Sequence, residues 1–395
     1  MDKSSKESAP AIEAFLIGAG CLIAIATVVW WARARVSDPL ETYRVSPASK
    51  PIGGGGRPTG FVGDRACAEC HAGEVALHRR SGHSKTLHDA GETDAARWLD
   101  GRTVKDPELP EVTWSYALRD GRLNVERAEG GVIEKFLIDY AFGSGAHAST
   151  FVSMTGRDPQ GPVGHEHRLT CYAETRTLDV TPGHEMTAPA AGTTPRGRAL
   201  PSSKLLRCFR CHTTVTSAVS RNLLDVATMI PNVTCERCHG PAQAHVQAAR
   251  SGKSELGMLL GPDRWTAGSM MRACGECHRH PDVTPPASIR TDNIEIVRHQ
   301  PVGLMQSKCY KLSRGSLSCV TCHDPHARAS RDRTHYEVSC RSCHTTAPQT
   351  ICPVSPQTGC LDCHMPRRNS GQGILFTDHW IRIVGDDSEV IGSGR

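Results

Sequence analysis

The chain of 395 residues contains few aromatic side chains: Phe, Tyr and Trp together make up 5% of it, and hydrophobic residues of all kinds make up 38%. A core built from side chains alone would therefore be thin for a chain of this length. This shortage argues against an ordinary globular protein. It predicts that something other than side chains fills part of the interior.

The sequence also lacks a long run of charge of one sign. It has 46 Lys and Arg residues against 41 Asp and Glu residues, which gives a formal net charge of +5 spread along the chain. Without a basic block or stripe, no nucleic-acid partner is indicated. The mild positive charge is typical of a solvated surface, with contact to acidic proteins or lipid head groups as the alternative.

Cysteine and histidine, in contrast, are abundant, at 18 and 20 residues, and fourteen of the cysteines occur in seven repeats of the pattern Cys-x-x-Cys-His. The repeats, numbered motifs 1 to 7 in chain order, are Cys67, Cys70 and His71; Cys208, Cys211 and His212; Cys235, Cys238 and His239; Cys274, Cys277 and His278; Cys319, Cys322 and His323; Cys340, Cys343 and His344; and Cys360, Cys363 and His364. The other cysteines are Cys21, Cys171, Cys309 and Cys352. An oxidising compartment would permit one disulfide among the last three.

This spacing is typical of haem c (heme c) attachment. The two thiols form thioether bonds to one haem, and the histidine that follows gives its imidazole nitrogen to the iron. Composition alone predicts only roughly 0.04 matches in the whole chain, so chance is excluded. Zinc ribbons do not require His after every second Cys, and thioredoxin-like motifs occur singly within a βαβ pattern that is absent here. The sequence therefore predicts seven haems c, whose rings supply the missing core.

One long apolar run lies near the N-terminus. Residues 14–31 carry no charge and end in Trp30 and Trp31, which fits one bilayer crossing with an aromatic anchor at the interface. The alternative is a cleaved signal peptide, because residues 32–34 read Ala-Arg-Ala and have the small-x-small form of a cleavage site. The run is longer than a usual signal core, so we expect an uncleaved anchor.

The predicted haem attachment decides the expected orientation of this anchor, since haem c is attached outside the bacterial cytoplasm. We expect a short cytoplasmic N-terminus over residues 1–13 and a transmembrane signal anchor over residues 14–32. Residues 33–60 are rich in Pro and Gly and are predicted to form a flexible tether. Residues 61–395 are then a periplasmic domain with seven haems, and the predicted location is the bacterial inner membrane, crossed once.

The long interval between motifs 1 and 2 contains a strand pattern. Apolar and polar residues alternate over residues 112–118, residues 119–121 read Arg-Asp-Gly, and the alternation resumes over residues 123–125. This arrangement predicts a β-hairpin. We therefore expect a small β-rich insertion between haem sites 1 and 2, at about residues 105–185.

The contexts of the motifs resemble the periplasmic multihaem cytochromes c, a family that includes tetrahaem carriers, octahaem hydroxylamine oxidoreductases and pentahaem nitrite reductases. The resemblance is carried by FVGDRACAECHAGEVALHRRSGHSKTLH, NVTCERCHGPAQAHV, LMQSKCYKLSRGSLSCVTCHDPH and CLDCHMPRR, the last followed by FTDHWIRI. It covers most of residues 61–385 and is weak between about 90 and 200. It implies a fold that is mainly α with little regular structure, a multihaem cytochrome c architecture, and mostly bis-histidine irons. The catalytic haem of the nitrite reductases is attached by a motif that ends in Lys, whereas all seven motifs here end in His.

Thirteen histidines remain outside the motifs. His245 and His326 match ligand positions of the family, and at least one of His78 and His83 is expected to reach an iron. The candidates for the second axial position are His245, His326, His379, His83, His78 and His147. For each of them a surface or hydrogen-bonding role is the alternative. The pairs stay open at this point, because a second ligand often comes from a different stretch of chain.

These observations predict electron transfer within a respiratory chain, with catalytic residues unknown. Redox proteins are the expected partners, such as other cytochromes or a quinol-linked complex, together with the membrane. The alternative is a multihaem oxidoreductase in which one haem has an open site for a small nitrogen or sulfur compound. That activity would need proton donors beside the open iron, whereas a carrier needs only closed irons and exposed haem edges.

Overall fold

The structure, a computed structural model, describes residues 58–187, 189–253, 265–344, 351–355, 357–369 and 374–384. The chain divides into two units, Met1–Val45 and Ser46–Arg395, and every described residue belongs to the second. The predicted cytoplasmic N-terminus and transmembrane anchor lie outside the described residues, as does nearly all of the predicted tether.

The predicted location in the inner membrane needs correction. Within the ranges that the structure describes, no helix combines the length and the apolar character that a bilayer crossing requires. A single-pass anchor is therefore not supported. The run over residues 14–32 that suggested one lies outside those ranges.

The predicted fold class, mainly α with little regular structure, is wrong. Between motifs 1 and 2 the described chain forms twelve strands, which begin before residue 105 and end after residue 185. They are β1 (Leu87–Asp89), β2 (Thr103–Lys105), β3 (Thr113–Arg119), β4 (Arg122–Glu129), β5 (Val132–Ile138), β6 (Tyr140–Phe142), β7 (Ala148–Asp158), β8 (Gly161–His167), β9 (Leu169–Tyr172), β10 (Thr177–Val180), β11 (Thr193–Thr194) and β12 (Gly197–Leu200). This is a large β-rich region and not a small insertion.

These strands form two antiparallel sheets. β2, β3, β4 and β5 form a four-stranded sheet in chain order. The larger sheet has the order β1-β6-β7-β8-β12-β11, and β9 joins it by pairing with β7 on one side and β10 on the other. Neighbours in both sheets are joined mostly by short turns, which antiparallel pairing permits and parallel pairing does not.

The hairpin predicted over residues 112–125 is present as β3 and β4. Its turn residues Asp120 and Gly121 both have positive φ, 50° and 71°, as a two-residue turn that matches the strand twist requires. Trp114 and Tyr116 alternate with more exposed neighbours and are buried in the core of the β-rich region. The alternation in the sequence thus indicates a sheet that has one buried face.

Most helices lie in the parts of the chain that carry motifs. The helices are α1 (Asp64–Ala68), α2 (Ala72–His78), α3 (Asp94–Leu99), α4 (Ser202–His212), α5 (Cys235–His239), α6 (Gln243–Arg250), α7 (Ala267–His278), α8 (Gln300–Gln306), α9 (Lys308–Leu312), α10 (Arg333–His344) and α11 (Cys360–His364). Two small sheets accompany them, formed by β13 (Thr213–Val215) with β14 (Ile230–Pro231) and β15 (Arg367–Asn369) with β16 (Leu375–Thr377). Motifs 2, 4 and 6 end α4, α7 and α10, and motifs 3 and 7 form α5 and α11. Residues i, i+3 and i+4 share one face of a helix, so the two thiols and the imidazole of each such motif lie on the same side.

The larger sheet supports motif 2 directly. Helix α4 packs Leu205 and Phe209 into a buried cluster on this sheet, and the ring of Phe209 meets those of Tyr140 and Phe142 edge-on at 5.3 and 5.1 Å. Aromatic pairs at these distances and angles add to the free energy gained by burial. The β-rich region therefore fixes the helix that ends in His212.

Candidate haem sites

Four motif histidines each have a second histidine ring nearby, contributed by another part of the chain. In motif 1 the ring centre of His71 lies 6.3 Å from that of His245, and the two planes differ by 24°. In motif 3 the ring centre of His239 lies 6.2 Å from that of His326, and the planes differ by 6°. His245 follows motif 3 along the chain and His326 follows motif 5, so each lies beside a different motif from the one it follows.

Motifs 4 and 5 show the same arrangement. The ring centre of His278 lies 6.3 Å from that of His83, with planes 68° apart. The ring centre of His323 lies 6.2 Å from that of His379, with planes 32° apart. All four second histidines belong to the six candidates that the sequence provides.

The spacing of these rings fits an iron between them. An imidazole nitrogen binds a metal at about 2 Å and lies about 1 Å from its ring centre, so two axial imidazoles place their centres about 6 Å apart. Rings in direct stacking contact would be closer than this. The residues of motifs 1, 3, 4 and 5 therefore fit a haem with two histidine ligands, and the bound group would supply an iron that changes oxidation state.

Backbone carbonyls orient two of the half-buried histidines. Nδ1 of His212 lies 2.7 Å from the carbonyl oxygen of Thr86, and Nδ1 of His379 lies 2.9 Å from that of Thr377. A carbonyl can only accept, so both Nδ1 atoms carry the proton and leave Nε2 for a metal. Burial also lowers the pKa of His379 to about 4, which keeps its imidazole in the neutral form that binds metals.

Two further histidines are oriented by nearby oxygen atoms. Nδ1 of His326 lies 3.2 Å from a carboxylate oxygen of Asp324, the arrangement that commonly orients a metal-bound imidazole. Nδ1 of His364 in motif 7 lies 3.2 Å from the carbonyl oxygen of Arg382. His344 of motif 6 ends α10 and is exposed.

The other two candidates, His78 and His147, show no ring contact with a motif histidine among the described residues. His147 is exposed in the loop between β6 and β7. His78 is buried, and its ligand nitrogen lies within 4.8 Å of ligand atoms of Asp64 and Cys235. Since Cys235 is an attachment cysteine of motif 3, a thioether bond there removes the thiolate that a separate metal site would need.

The histidines of the β-rich region have structural roles. Nε2 of the fully buried His167 lies 2.8 Å from the hydroxyl of Tyr116, and Nε2 of His184 lies 3.1 Å from a carboxylate oxygen of Glu166. Burial lowers the pKa of His167 to about 3 and that of His165 to about 4. The rings of His165 and His167 therefore stay neutral and belong to the packing of the sheets.

Motif 3 lies between motifs 1 and 4. The N–H of Gly63, directly before the helix that contains Cys67 of motif 1, donates to the carboxylate of Glu236 in motif 3 at 2.9 Å, which joins motifs 1 and 3. The guanidinium of Arg237 in motif 3 lies 2.9 Å from the carboxylate of Glu276 in motif 4. Motif 2 also contacts motif 4, because Sγ of Cys211 lies 4.0 Å from the carbonyl oxygen of Glu276.

Motifs 4, 5 and 6 also follow one another in space. Sγ of Cys319 in motif 5 lies 3.5 Å from the sulfur of Met271 on α7, the helix that ends in motif 4. The hydroxyl of Ser339 on α10, which carries motif 6, donates to the carbonyl oxygen of Thr321 in motif 5 at 3.0 Å. Attachment sites that are far apart in the sequence are thus close neighbours.

Motif 7 extends the series beyond motif 6. The guanidinium of Arg333 at the start of α10 lies 3.1 Å from the carboxylate of Asp362 inside motif 7. Arg341 inside motif 6 donates to the carbonyl oxygen of Gln357 at 2.8 Å. The segment before motif 7 therefore lies against the helix of motif 6.

A cavity of about 380 Å³ opens beside motif 5. Its walls include Cys322 and His323 of the motif and the side chains of Val320, His335 and Val338. Val320 and Val338 expose 37% and 61% of their surface, although apolar side chains near a core are usually covered. An apolar ring attached through Cys322 would cover them, which fits the attachment of haem at this motif.

Residues 165–240 match the family described as cytochrome c554 and c-prime. The matched segment contains motifs 2 and 3, and it supports a c-type cytochrome that carries covalently bound haem and transfers electrons. The crystal structure of the outer cell wall cytochrome OcwA is similar over 82% of this chain and 80% of that chain, at 15% identity and a TM-score of 0.44, which is too low to establish a shared fold. No curated protein matches the chain. The kinship to hydroxylamine oxidoreductases and nitrite reductases stays a prediction.

The groups that orient the candidate ligands are not among the residues predicted from the sequence. Thr86 and Thr377 act through backbone carbonyls, which leave no signal in the sequence. Asp324 could have been found, because it lies between His323 and His326 in CHDPH, and a carboxylate beside a metal-binding histidine commonly orients it.

Proposed function

We propose that the protein transfers electrons through seven covalently attached haems c, and that four of their irons have two histidine ligands. The observation that carries this proposal is the spacing of 6.2–6.3 Å between ring centres at four motifs. The proposed ligand pairs are His71 with His245, His239 with His326, His278 with His83, and His323 with His379.

Irons with two protein ligands are typical of an electron carrier. An iron that holds two protein imidazoles has no position left for a substrate, so it exchanges electrons and not ligands. In two of the pairs a nearby oxygen orients the proposed second ligand: the carbonyl oxygen of Thr377 for His379 and the carboxylate of Asp324 for His326. For these four irons, electron transfer is therefore the function that the geometry supports best.

The contacts among the motifs support a path for the electrons. We propose the order motif 1, motif 3, motif 4, motif 5, motif 6 and motif 7, with motif 2 beside motif 4. For each step in this order, a residue of one motif contacts a residue of the next motif or of the segment that carries it, as described above. The proposed redox partners, such as another cytochrome or a quinol-linked complex, would exchange electrons at the two ends of this path.

The spin state of the irons in the purified holoprotein tests the proposed ligation. Absorption and electron paramagnetic resonance spectra are expected to show low-spin iron at motifs 1, 3, 4 and 5 that does not respond to cyanide or nitrite. The mass is expected to exceed that of the polypeptide by seven haems. A colourless protein or a smaller mass gain would contradict the number of haems, and a cyanide-sensitive iron at a paired motif would contradict the ligation.

The same spectra distinguish the alternative function. A high-spin iron that binds nitrite at motif 2, 6 or 7 would favour an oxidoreductase that acts on a small nitrogen or sulfur compound. Turnover of that compound with a chemical electron donor would then be measured directly. Seven low-spin irons would eliminate this alternative.

A further inference from the structure

We propose that Glu236, one of the two variable residues of motif 3, positions the two ligand-bearing segments of the motif 1 haem and lowers the reduction potential of the nearby haems. This inference rests on the proposed function, because it takes His71 and His245 as the ligands of one iron. It concerns a residue of the attachment motif that binds no haem itself.

The carboxylate of Glu236 accepts three backbone hydrogen bonds. One oxygen accepts from the N–H of Val62 at 2.9 Å and from that of Ala242 at 3.0 Å, and the other accepts from the N–H of Gly63 at 2.9 Å. Glu236 itself is only 3% exposed. Because a buried carboxylate is costly unless its oxygens are satisfied, these bonds are expected to hold the three donors firmly.

The donors belong to the two segments that carry the proposed ligands. Val62 and Gly63 immediately precede α1, which contains the first thiol of motif 1. Ala242 immediately precedes α6, which contains His245. One carboxylate on α5 therefore binds the entry to the helix of motif 1 and the entry to the helix of its second ligand.

Two further contacts show that these segments are joined at this place. The N–H of Gln243 donates to the carbonyl oxygen of Gly60 at 3.0 Å. On the surface, the guanidinium of Arg250 on α6 lies 2.7 Å from the carboxylate of Glu69 in motif 1. Glu236 supplies the buried part of this junction, where water cannot replace a lost bond.

The charge of Glu236 has a second consequence. In the part of the chain that the structure describes, Glu236 forms no ion pair, and backbone N–H dipoles stabilise its charge. A buried anion favours the oxidised iron, which carries one positive charge more than the reduced iron. Since Cys235 and Cys238 on either side of Glu236 attach the motif 3 haem, the haems of motifs 1 and 3 are expected to have lowered potentials.

Glu276 provides a matched control. It occupies a variable position of motif 4, but its side chain is 53% exposed, and it pairs with the exposed Arg221 as well as with Arg237. Solvent screens such a charge, so its removal is expected to change the reduction potentials of nearby haems little. Glu236→Gln and Glu276→Gln thus remove the same charge from the same kind of segment, once in the interior and once at the surface.

The experiment compares the holoproteins of E236Q and E276Q by redox titration followed spectroscopically, and by mass mapping of haem at each motif. In E236Q we expect two of the seven transitions to shift upward, because the charge is lost. We also expect a high-spin fraction at motif 1, because the amide NH₂ faces N–H donors. E276Q is expected to resemble the parent protein. Potentials and spin states in E236Q that equal those of E276Q would overturn the inference.

Glu236→Asp keeps the inference testable if E236Q is poorly loaded with haem. This variant retains the charge but is one methylene shorter, so we expect low potentials together with a high-spin fraction at motif 1. Haem loss confined to motif 1 supports the positioning role. Equal loss at all motifs, or an E236D protein without a high-spin fraction at motif 1, contradicts it. His245→Ala separates the two proposals. If the motif 1 iron stays low-spin in this variant, the proposed ligation fails. If it becomes high-spin while the potentials and spin states of E236Q stay unchanged, only this inference fails.

Discussion

At the scale of single residues, the surroundings of a histidine decide whether it can bind an iron. His326 and His379 each have Nδ1 beside an oxygen acceptor and a motif histidine about 6 Å away. His167 is buried more deeply than either of them, and it packs among aromatic rings and against the hydroxyl of Tyr116. All three residues are histidines, and the groups around each ring determine whether it is placed to bind iron or to pack within the sheets.

Replacement of a proposed second ligand tests this distinction. His326→Ala is expected to convert the motif 3 iron from low-spin to high-spin, because the imidazole 6.2 Å from His239 is removed. The measurement is the electron paramagnetic resonance spectrum of the oxidised holoprotein. His147→Ala is the control, since His147 is exposed and is expected to leave all seven irons unchanged. A low-spin signal from all irons in H326A would contradict the pairing.

A buried ion pair in the β-rich region gives a second prediction. Asp106 accepts from Arg168 at 2.6 Å and from the indole of Trp114 at 3.1 Å, and the side chains of Asp106 and Arg168 are fully buried. Asp106→Asn leaves Arg168 short of a partner and is expected to lower the free energy of unfolding by about 3 kcal/mol in chemical denaturation. Glu126→Gln, which breaks an exposed pair with Lys135, is expected to cost less than about 1 kcal/mol. Equal effects of both variants would contradict the importance of the buried pair.

The same pair predicts a dependence on pH. Burial by itself would raise the pKa of Asp106, but hydrogen bonds from Arg168, from the Glu108 backbone and from Trp114 hold that pKa below its ordinary value. A carboxyl whose pKa is lower in the folded state stabilises the fold above about pH 4, and this contribution disappears as the pH falls through the folded-state pKa. Below about pH 4 the free energy of unfolding is therefore expected to fall more steeply for the parent protein than for D106N. Parallel curves for the two proteins would contradict this assignment.

At the scale of helices and strands, short helices carry the thiols of most motifs, while separate segments carry the proposed second ligands. The segment of His379 docks against α8 at Gly303, where an added Cβ would lie 2.8 Å from the backbone nitrogen of Trp380 and 2.9 Å from the carbonyl carbon of His379. Backbone atoms cannot move aside as the end of a flexible side chain can. The absence of a side chain at this position thus allows the second ligand to reach motif 5.

Gly303→Ala is therefore expected to displace His379 from His323. We expect a high-spin fraction at the motif 5 iron and a loss of about 1–3 kcal/mol of unfolding free energy, because the added methyl overpacks the contact. Absorption spectra and chemical denaturation measure the two effects. Gly73→Ala on α2 is the control, since an added Cβ there meets nothing within 4 Å and alanine favours a helix. A G303A protein with unchanged spectra would show that the segment is not held by this contact.

At the scale of the whole molecule, contacts among the attachment sites place motif 4 at a junction. It contacts motifs 2, 3 and 5, whereas motif 7 lies at one end of the series. The double variant Cys274→Ala with Cys277→Ala removes the attachment at motif 4 and is expected to slow electron exchange between the haems of motifs 1 and 3 and those of motifs 5 to 7, since among the described residues motif 3 then adjoins motif 5 only through the segment of His326. Rapid mixing with a reductant is expected to give two slowly equilibrating groups of haems.

The matched variant Cys360→Ala with Cys363→Ala removes the attachment at the end of the proposed path. It is expected to lose one haem while the remaining six equilibrate as fast as in the parent protein. Two separate groups of haems in this variant, or a single fast group after removal of motif 4, would contradict the proposed order.

Haem attachment and the expected first ligand of each iron could be predicted from the sequence alone, because two thiols and an imidazole within five consecutive residues are brought together by local backbone geometry. The hairpin over residues 112–125 was readable for the same reason, since alternation and a turn are local signals. The extent of the β-rich region, the proposed ligand pairs, the proposed order of the motifs and the buried position of Glu236 could be read only from the three-dimensional structure. Each of these depends on segments that are distant in the chain, as when His83 approaches His278. No local pattern records which distant segments pack together.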